Sequence, residues 1–576
     1  MRTAATIAIA SLSLATTSCI SLDTVLKAKP LQFSCAGFAY KDGASSGAVP
    51  YKRKSASFLF NDLQAFAFKP PAEPGNLLAF QDPGAPEQTA PSMKALGELK
   101  DYLEDQEKLD QDLILKRQQV GALDFSDQDK SLLILSGGGQ WGAFGATFLA
   151  DRRNRQIRSP DTGAMAPVQW DYVTGISTGA LQALFVGADD YEGLVKAYTI
   201  EDGNELATKN GWRIIRRGSI NNTAKLKQRV IQTLLYEDPE APDTPDRAPG
   251  LLHKIAKYDI PADQRESVRR PHIFIGVVEG ASGHFYEIDI TRMVEDHYIP
   301  GTSPEAKDKQ TDLADCVAGW ALASSAVPVQ LTPVIIEEES DDGARTKKAY
   351  LDGGVRSSVF VAPSIFADEA RYAAEIVRRR ECEQADFKSL PDCSGAKSRP
   401  GDPIKPPAPQ IYVVRNGPTW VPDDGVKDKI DRNTNIVNVG LRGYATLVNQ
   451  NELSSISTLL LEYPRRPLKF VSADSFDWNT DLATTECKVR ERDPDKYFDP
   501  AFMRCLRYWG SIHKTRPEDK KRPSGWRDIR NPRVCPEAPA KGDGDGGQPK
   551  FCQEAPDTGL AKLFELDLRL RAKANR

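Results

Sequence analysis

The chain is expected to fold as an α/β protein with a central, mostly parallel sheet covered by helices. Three observations carry that expectation. SLLILS at residues 131–136 is a short buried-strand run that leads through glycines into the helical periodicity of residues 142–153. VQWDYVTG then reads as a second strand and STGALQALFVGA as its helix. Strand and helix patterns keep alternating, which builds a parallel sheet with helices on its faces.

Further strands are expected at HIFIGVVE, HFYEIDI, KKAYLD, QIYVV and LKFVS. Helices are expected at DLADCVAGWALASSA and across NIVNVGLRGYATLVNQNELSSISTLLLEY. One domain spanning residues 128–475 accounts for these elements. Within it, DCSGAKSRPGDPIKPPAPQ reads as a surface loop. Residues 19–127 read as a spacer with a charged helix, and residues 476–576 as a Cys-bearing extension ending in a helix that docks on the core.

Of 576 residues, 40% are hydrophobic and 27% charged, enough for a large core. Lys and Arg total 76 against 80 Asp and Glu, so the net charge of -4 gives no footprint for nucleic acid. Residues 1–18 place a cation before a short apolar run and then small residues, the layout of a secretory signal too short to span a bilayer. Ser18-Cys19 resembles the cleavage box of bacterial lipoproteins, which implies a diacylated Cys19 and attachment to a membrane surface, although Thr16 stands where that box usually carries Leu. Ile20 carries no aspartate-type retention signal, so the expected address is the outer membrane, facing the periplasm or the exterior.

Apart from Cys19, eight cysteines remain, an even set that suits an oxidising compartment. Short loops would be closed by Cys382–Cys393, Cys487–Cys505 and Cys535–Cys552, leaving Cys35 to find Cys316, with connectivity open on sequence alone. No CxxC pair occurs and the five histidines form no HExxH or HxxxH pattern, so no metal is expected.

Three motifs point to chemistry. Gly175-Ile176-Ser177-Thr178-Gly179 is a G-x-S-x-G pentapeptide between a strand and a helix, where a tight turn would push the Ser177 hydroxyl out at the carboxyl end of the sheet. Gly137-Gly138-Gly139 ends the first strand, and its amides could hold an oxyanion. A nucleotide loop fits less well, because the run is not GxxxxGK[ST] and Gln140, Trp141 and Phe144 crowd it. Asp352-Gly353-Gly354 follows the strand KKAYL, and its turn would leave a carboxylate near the strand ends. Alone, such a turn is common.

Together and in this order, the three motifs resemble the patatin-like phospholipase family. VQWDYVTGISTGA resembles the family's elbow strand, with Asp171 at the acidic position, and ALASSAVPVQLTPV its Ala/Ser-rich block upstream of the catalytic aspartate. The resemblance covers residues 128–475. It implies a three-layer α/β/α domain and a serine acyl hydrolase acting on (phospho)lipids, with Ser177 as nucleophile, Asp352 as base, the glycine amides as oxyanion hole and no cofactor. One departure is Trp141, which stands where the family's glycine turn commonly carries a basic residue. Two other readings are open: a Ser-His-Asp esterase using His513, and a catalytically silent lipoprotein that binds lipid or serves as a scaffold. NGWRIIRRGSI, with Trp212, Arg213, Arg216 and Arg217, reads as a solvated basic segment rather than a lid.

Overall fold

The computed structural model describes residues 30–41, 48–54, 130–158, 165–209, 219, 221–240, 247–265, 268, 270–339, 343–362, 365, 409–419, 436–462, 468–473, 498–512 and 525–529. Cys19, the signal segment, the charged helix of the spacer, the basic segment apart from Ser219, His513 and the terminal helix lie outside these residues.

Among the described residues, eleven strands form the main sheet. In chain order they are β1 (Leu31–Ser34), β2 (Lys52–Lys54), β3 (Ser131–Leu135), β4 (Tyr172–Gly175), β5 (His272–Glu279), β6 (Phe285–Asp289), β7 (Val334–Glu339), β8 (Arg345–Asp352), β9 (Gln410–Arg415), β10 (Leu468–Ser472) and β11 (Arg527–Ile529). The helices that matter below are α1 (Gly142–Ala150), α2 (Thr178–Gly187), α3 (Ala224–Leu235), α4 (Pro304–Ser324), α5 (Ile436–Glu462) and α6 (Pro500–Ile512). Each strand and helix expected within residues 128–475 by its quoted run is present.

The middle of the sheet, β5-β4-β3-β9-β10, is parallel throughout. Its strands are apolar on both faces, as burial between two helical layers demands. Leu133, Leu135, Val173, Ile273 and Ile275 face one core, shared with Phe144, Phe148, Leu184, Val317 and Leu506. Their neighbours Leu132, Ile134, Tyr172 and Phe274 face the other, shared with Phe360, Val361, Leu453, Ile456 and Leu460. The result is an α/β domain with helices on either side of a mixed sheet.

One irregularity positions the site. Strand β5 carries β6 antiparallel along one edge, pairing Phe274 to Val278. Its other edge is divided. Strand β4 runs beside His272 to Ile275, ending at Gly175, and β8 arrives from the opposite direction to pair Asp352 with Val277. The carboxyl ends of β4 and β8 therefore meet, two residues apart along β5.

The sheet extends past residues 128 and 475, the bounds expected for the domain. Strand β1 pairs parallel with β7, β2 pairs with β6, and β11 pairs with β10. The segment read as a spacer thus supplies strands that its Pro- and Ala-rich surroundings do not advertise. A disulfide joins Cys35, just past β1, to Cys316 of α4. Cys505 of α6 is also disulfide-bonded, to a partner outside the described residues, where Cys382–Cys393 and Cys535–Cys552 also fall.

Candidate active site

Ser177 sits on the turn between β4 and α2 with φ 56° and ψ -124°. A positive φ in a non-glycine residue stores on the order of 1–3 kcal/mol and persists only when the surroundings enforce it. Here they do. A Cβ on Gly175 would lie 2.3 Å from the Gly179 carbonyl oxygen, and one on Gly179 would lie 2.2 Å from that of Leu135. The pentapeptide spacing is therefore a packing requirement of the elbow. The Ser177 amide donates to Ser324 Oγ at 2.9 Å, and the Ser324 hydroxyl donates to the Gly276 carbonyl at 2.7 Å. Ser324, the last residue of α4, thereby pins the elbow to β5.

Asp352 ends β8 and is 3% exposed. Its backbone amide donates to the Ala326 carbonyl at 3.1 Å. Its carboxylate accepts the Gly354 amide at 2.7 Å, and the Ser177 side chain lies near enough to lower its pKa. Burial pushes the Asp352 pKa up to about 7, against the opposing pull of the Ser177 side chain and the Gly354 amide. Gly353 and Gly354 let this turn lie flat: a Cβ on Gly353 would come within 2.5 Å of the Gly276 carbonyl oxygen. Asn451 of α5 donates to the Gly354 carbonyl at 3.0 Å from the other layer.

The glycine turn after β3 approaches the same point. A Cβ on Gly137 would lie 3.2 Å from Ser177 Cβ, and Gly139 borders the same cavity as Ser177. Gly138 takes φ 146°, and a side chain there would collide with the Asn416 carbonyl at 1.7 Å. Asn416, just beyond β9, braces the turn from behind. Its Nδ2 donates to the Ser136 carbonyl at 2.7 Å and to Gln182 Oε1 at 2.8 Å, and its amide donates to Ser136 Oγ at 3.1 Å. Gln182 Nε2 in turn donates to the Gly142 carbonyl at 2.8 Å. Both polar side chains are buried, so the bracket is fixed by groups that have no water to turn to.

A cavity opens from Ser177 and Gly139, with about 860 Å³ of empty space including its mouth. Leu181, Leu184, Phe185, Leu226, Val230 and Leu234 supply much of its wall, with Arg229 and Thr233 among the few polar side chains. Such a lining favours a hydrocarbon chain over a polar substrate.

The structure brings together Ser177, Asp352, Gly137, Gly138, Gly139, Gly175, Gly179, Gly353 and Gly354. Asp171 lies elsewhere: its Oδ2 accepts the Ser131 amide at 2.8 Å and ties the starts of β3 and β4. Sequence reading missed the parts played by Ser324, Gln182 and Asn416. Ser324 stands in the Ala/Ser-rich block, which offered a signal, whereas Asn416 follows a buried strand like many loop residues.

A strained serine on a strand-to-helix turn, beside a buried carboxylate and a glycine turn, is an arrangement that suits nucleophilic acyl transfer. The family model for Patatin-like phospholipase matches residues 133–365, the stretch that contains all of these groups except Asn416 and Asn451. This match over residues 133–365 supports a lipid hydrolase in general and implies lipid substrates. A search of curated proteins finds no match.

Proposed function

We propose that the protein cleaves ester-linked fatty acids from (phospho)lipids through a Ser177-Asp352 dyad and an acyl-enzyme. The observation that carries this reading is the placing of Ser177 beside the buried Asp352 carboxylate, near enough for its side chain to lower the Asp352 pKa, in the lining of an apolar cavity. Ser177 Oγ attacks the ester carbonyl as its proton passes to Asp352. The carbonyl oxygen takes up negative charge beside the amides of the 137–139 turn and the amino terminus of α2. The ester C–O bond then breaks, and Asp352 returns the proton to the leaving alcohol. Water attacks the acyl-serine as Asp352 takes a proton from it, the acyl–Oγ bond breaks, and Asp352 passes that proton to Ser177 Oγ as the fatty acid departs.

A carboxylate with an ordinary pKa is a weak base; one pushed up to about 7 is matched to proton transfer near neutrality. A carboxylate beside Ser177 also supplies a base without a histidine, which favours the dyad over a triad through His513. In the same proposal Cys19 bears the lipid that holds the enzyme at the outer membrane, where its substrate is concentrated.

Labelling with a fluorophosphonate tests the reading. Mass spectrometry of wild-type protein is expected to find the adduct on the Ser177 peptide, with labelling lost in Ser177→Ala and retained in His513→Ala. A folded wild-type protein that takes up no probe would favour the silent lipid-binding lipoprotein.

A further inference from the structure

We infer that the segment 498–512, far beyond the residues matched by the family model, completes the acyl site, with Phe498 and Met503 setting which acyl chains fit. The inference rests on the hydrolase reading above and specifies its substrate selectivity. Both residues line the cavity that opens from Ser177, and Met503 is 2% exposed, so its thioether fills core space against the cavity wall.

The segment also grips the catalytic turn. The Asp499 amide donates to Gln140 Oε1 at 2.9 Å, and Phe502 meets Trp141 edge to face with centroids 5.0 Å apart. Trp141 occupies the place where the family resemblance leads one to expect a cation, and here it anchors a helix. Helix α6 then runs so close along α1 that a Cβ on Gly510 would fall 2.4 Å from the Phe144 carbonyl oxygen. At the start of the segment, the Phe498 carbonyl packs where a Cβ on Gly203 would stand 2.0 Å away. These contacts leave the wall little freedom to retreat, so the volume at positions 498 and 503 is imposed on the substrate.

The test measures kcat/KM of the full mature chain for a long-chain and a short-chain nitrophenyl ester and reads their ratio. Met503→Trp is expected to lower the long-to-short ratio about tenfold, and Met503→Ala and Phe498→Ala to raise it severalfold, since one methylene in an apolar pocket can change selectivity by about tenfold or more. Tyr508→Ala, exposed on the same helix, should keep the wild-type ratio. A second arm measures the affinity of a fluorescent long-chain fatty acid for Ser177→Ala protein with and without the same wall substitutions. Wild-type ratios and affinities in folded Phe498 and Met503 variants would overturn the inference. Wild-type protein inactive on every ester would instead overturn the hydrolase reading, and the binding arm would still decide whether these residues line a chain-binding site.

Discussion

Ser177 lies beside the Asp352 carboxylate, whose pKa its side chain lowers, because two strands running in opposite directions end against the same edge of β5. Gly175 pairs with Ile275 and Asp352 with Val277. A turn of two residues beyond β4 then carries Ser177 over the gap between the strand ends, where the carboxylate already lies.

The raised pKa of Asp352 has opposite consequences for activity and stability. In the proposed dyad the carboxylate must be ionised to act as base, so kcat/KM should climb as pH rises through about 7 and level off above it. Stability runs the other way. Between the ordinary value of 3.8 and about 7 the folded protein holds a proton that the unfolded chain has released, so this group's stabilising contribution is lost as pH rises through that window. Asp352→Asn should therefore be inactive, yet more stable than wild type above about pH 7, by on the order of 1–4 kcal/mol, with the gap closing below about pH 4. Paired denaturation curves at the two ends of the window check this.

Ser324→Ala removes the hydroxyl that joins the Ser177 amide to the Gly276 carbonyl. Two buried backbone groups lose their partner, which destabilises by about 1–3 kcal/mol. Because the elbow is loosened rather than the cavity altered, kcat should fall about tenfold with KM little changed. Ser324→Thr should recover part of the loss in the same assay.

Asn416→Ala deletes the bracket behind the glycine turn. The Ser136 carbonyl and Gln182 lose side-chain partners, and the 137–139 amides lose their fixed aim. A displaced oxyanion donor costs about 10²–10³ in kcat when removed outright; misalignment should produce a fall of about 10–100-fold. Steady-state kinetics on a soluble ester, with Asn416→Asp beside it, measure the effect.

The Cys35–Cys316 disulfide closes a loop across 281 positions and fastens β1 to α4. Breaking it should lower stability by about 2–5 kcal/mol. Cys35→Ser/Cys316→Ser protein is expected to unfold at lower denaturant than wild type while retaining the Ser177 elbow, a difference that equilibrium unfolding would reveal.

Much of this was legible in the sequence because backbone geometry restricts residue choice. Gly175 and Gly179 leave no room for a side chain, so the elbow had to be written as G-x-S-x-G. The buried central strands had to be apolar on both faces, and runs such as SLLIL and HIFIGVVE show it. Strands β1, β2 and β11 were hidden because each has only three or four residues and takes its order from a neighbour. Cys35 did point to Cys316. The roles of Asn416, Ser324 and Met503 were not legible, since a bracket or a cavity wall is defined by elements that meet only after folding.

The central claim is that Ser177 and Asp352 together cleave lipid esters. Its most direct test is fatty-acid release from a phospholipid panel by purified mature wild-type protein, beside Ser177→Ala and Asp352→Ala variants shown by circular dichroism to be folded. The account predicts release by wild type and background levels from both variants. Release by either folded variant at the wild-type rate, or no release by wild type from any lipid, would contradict it.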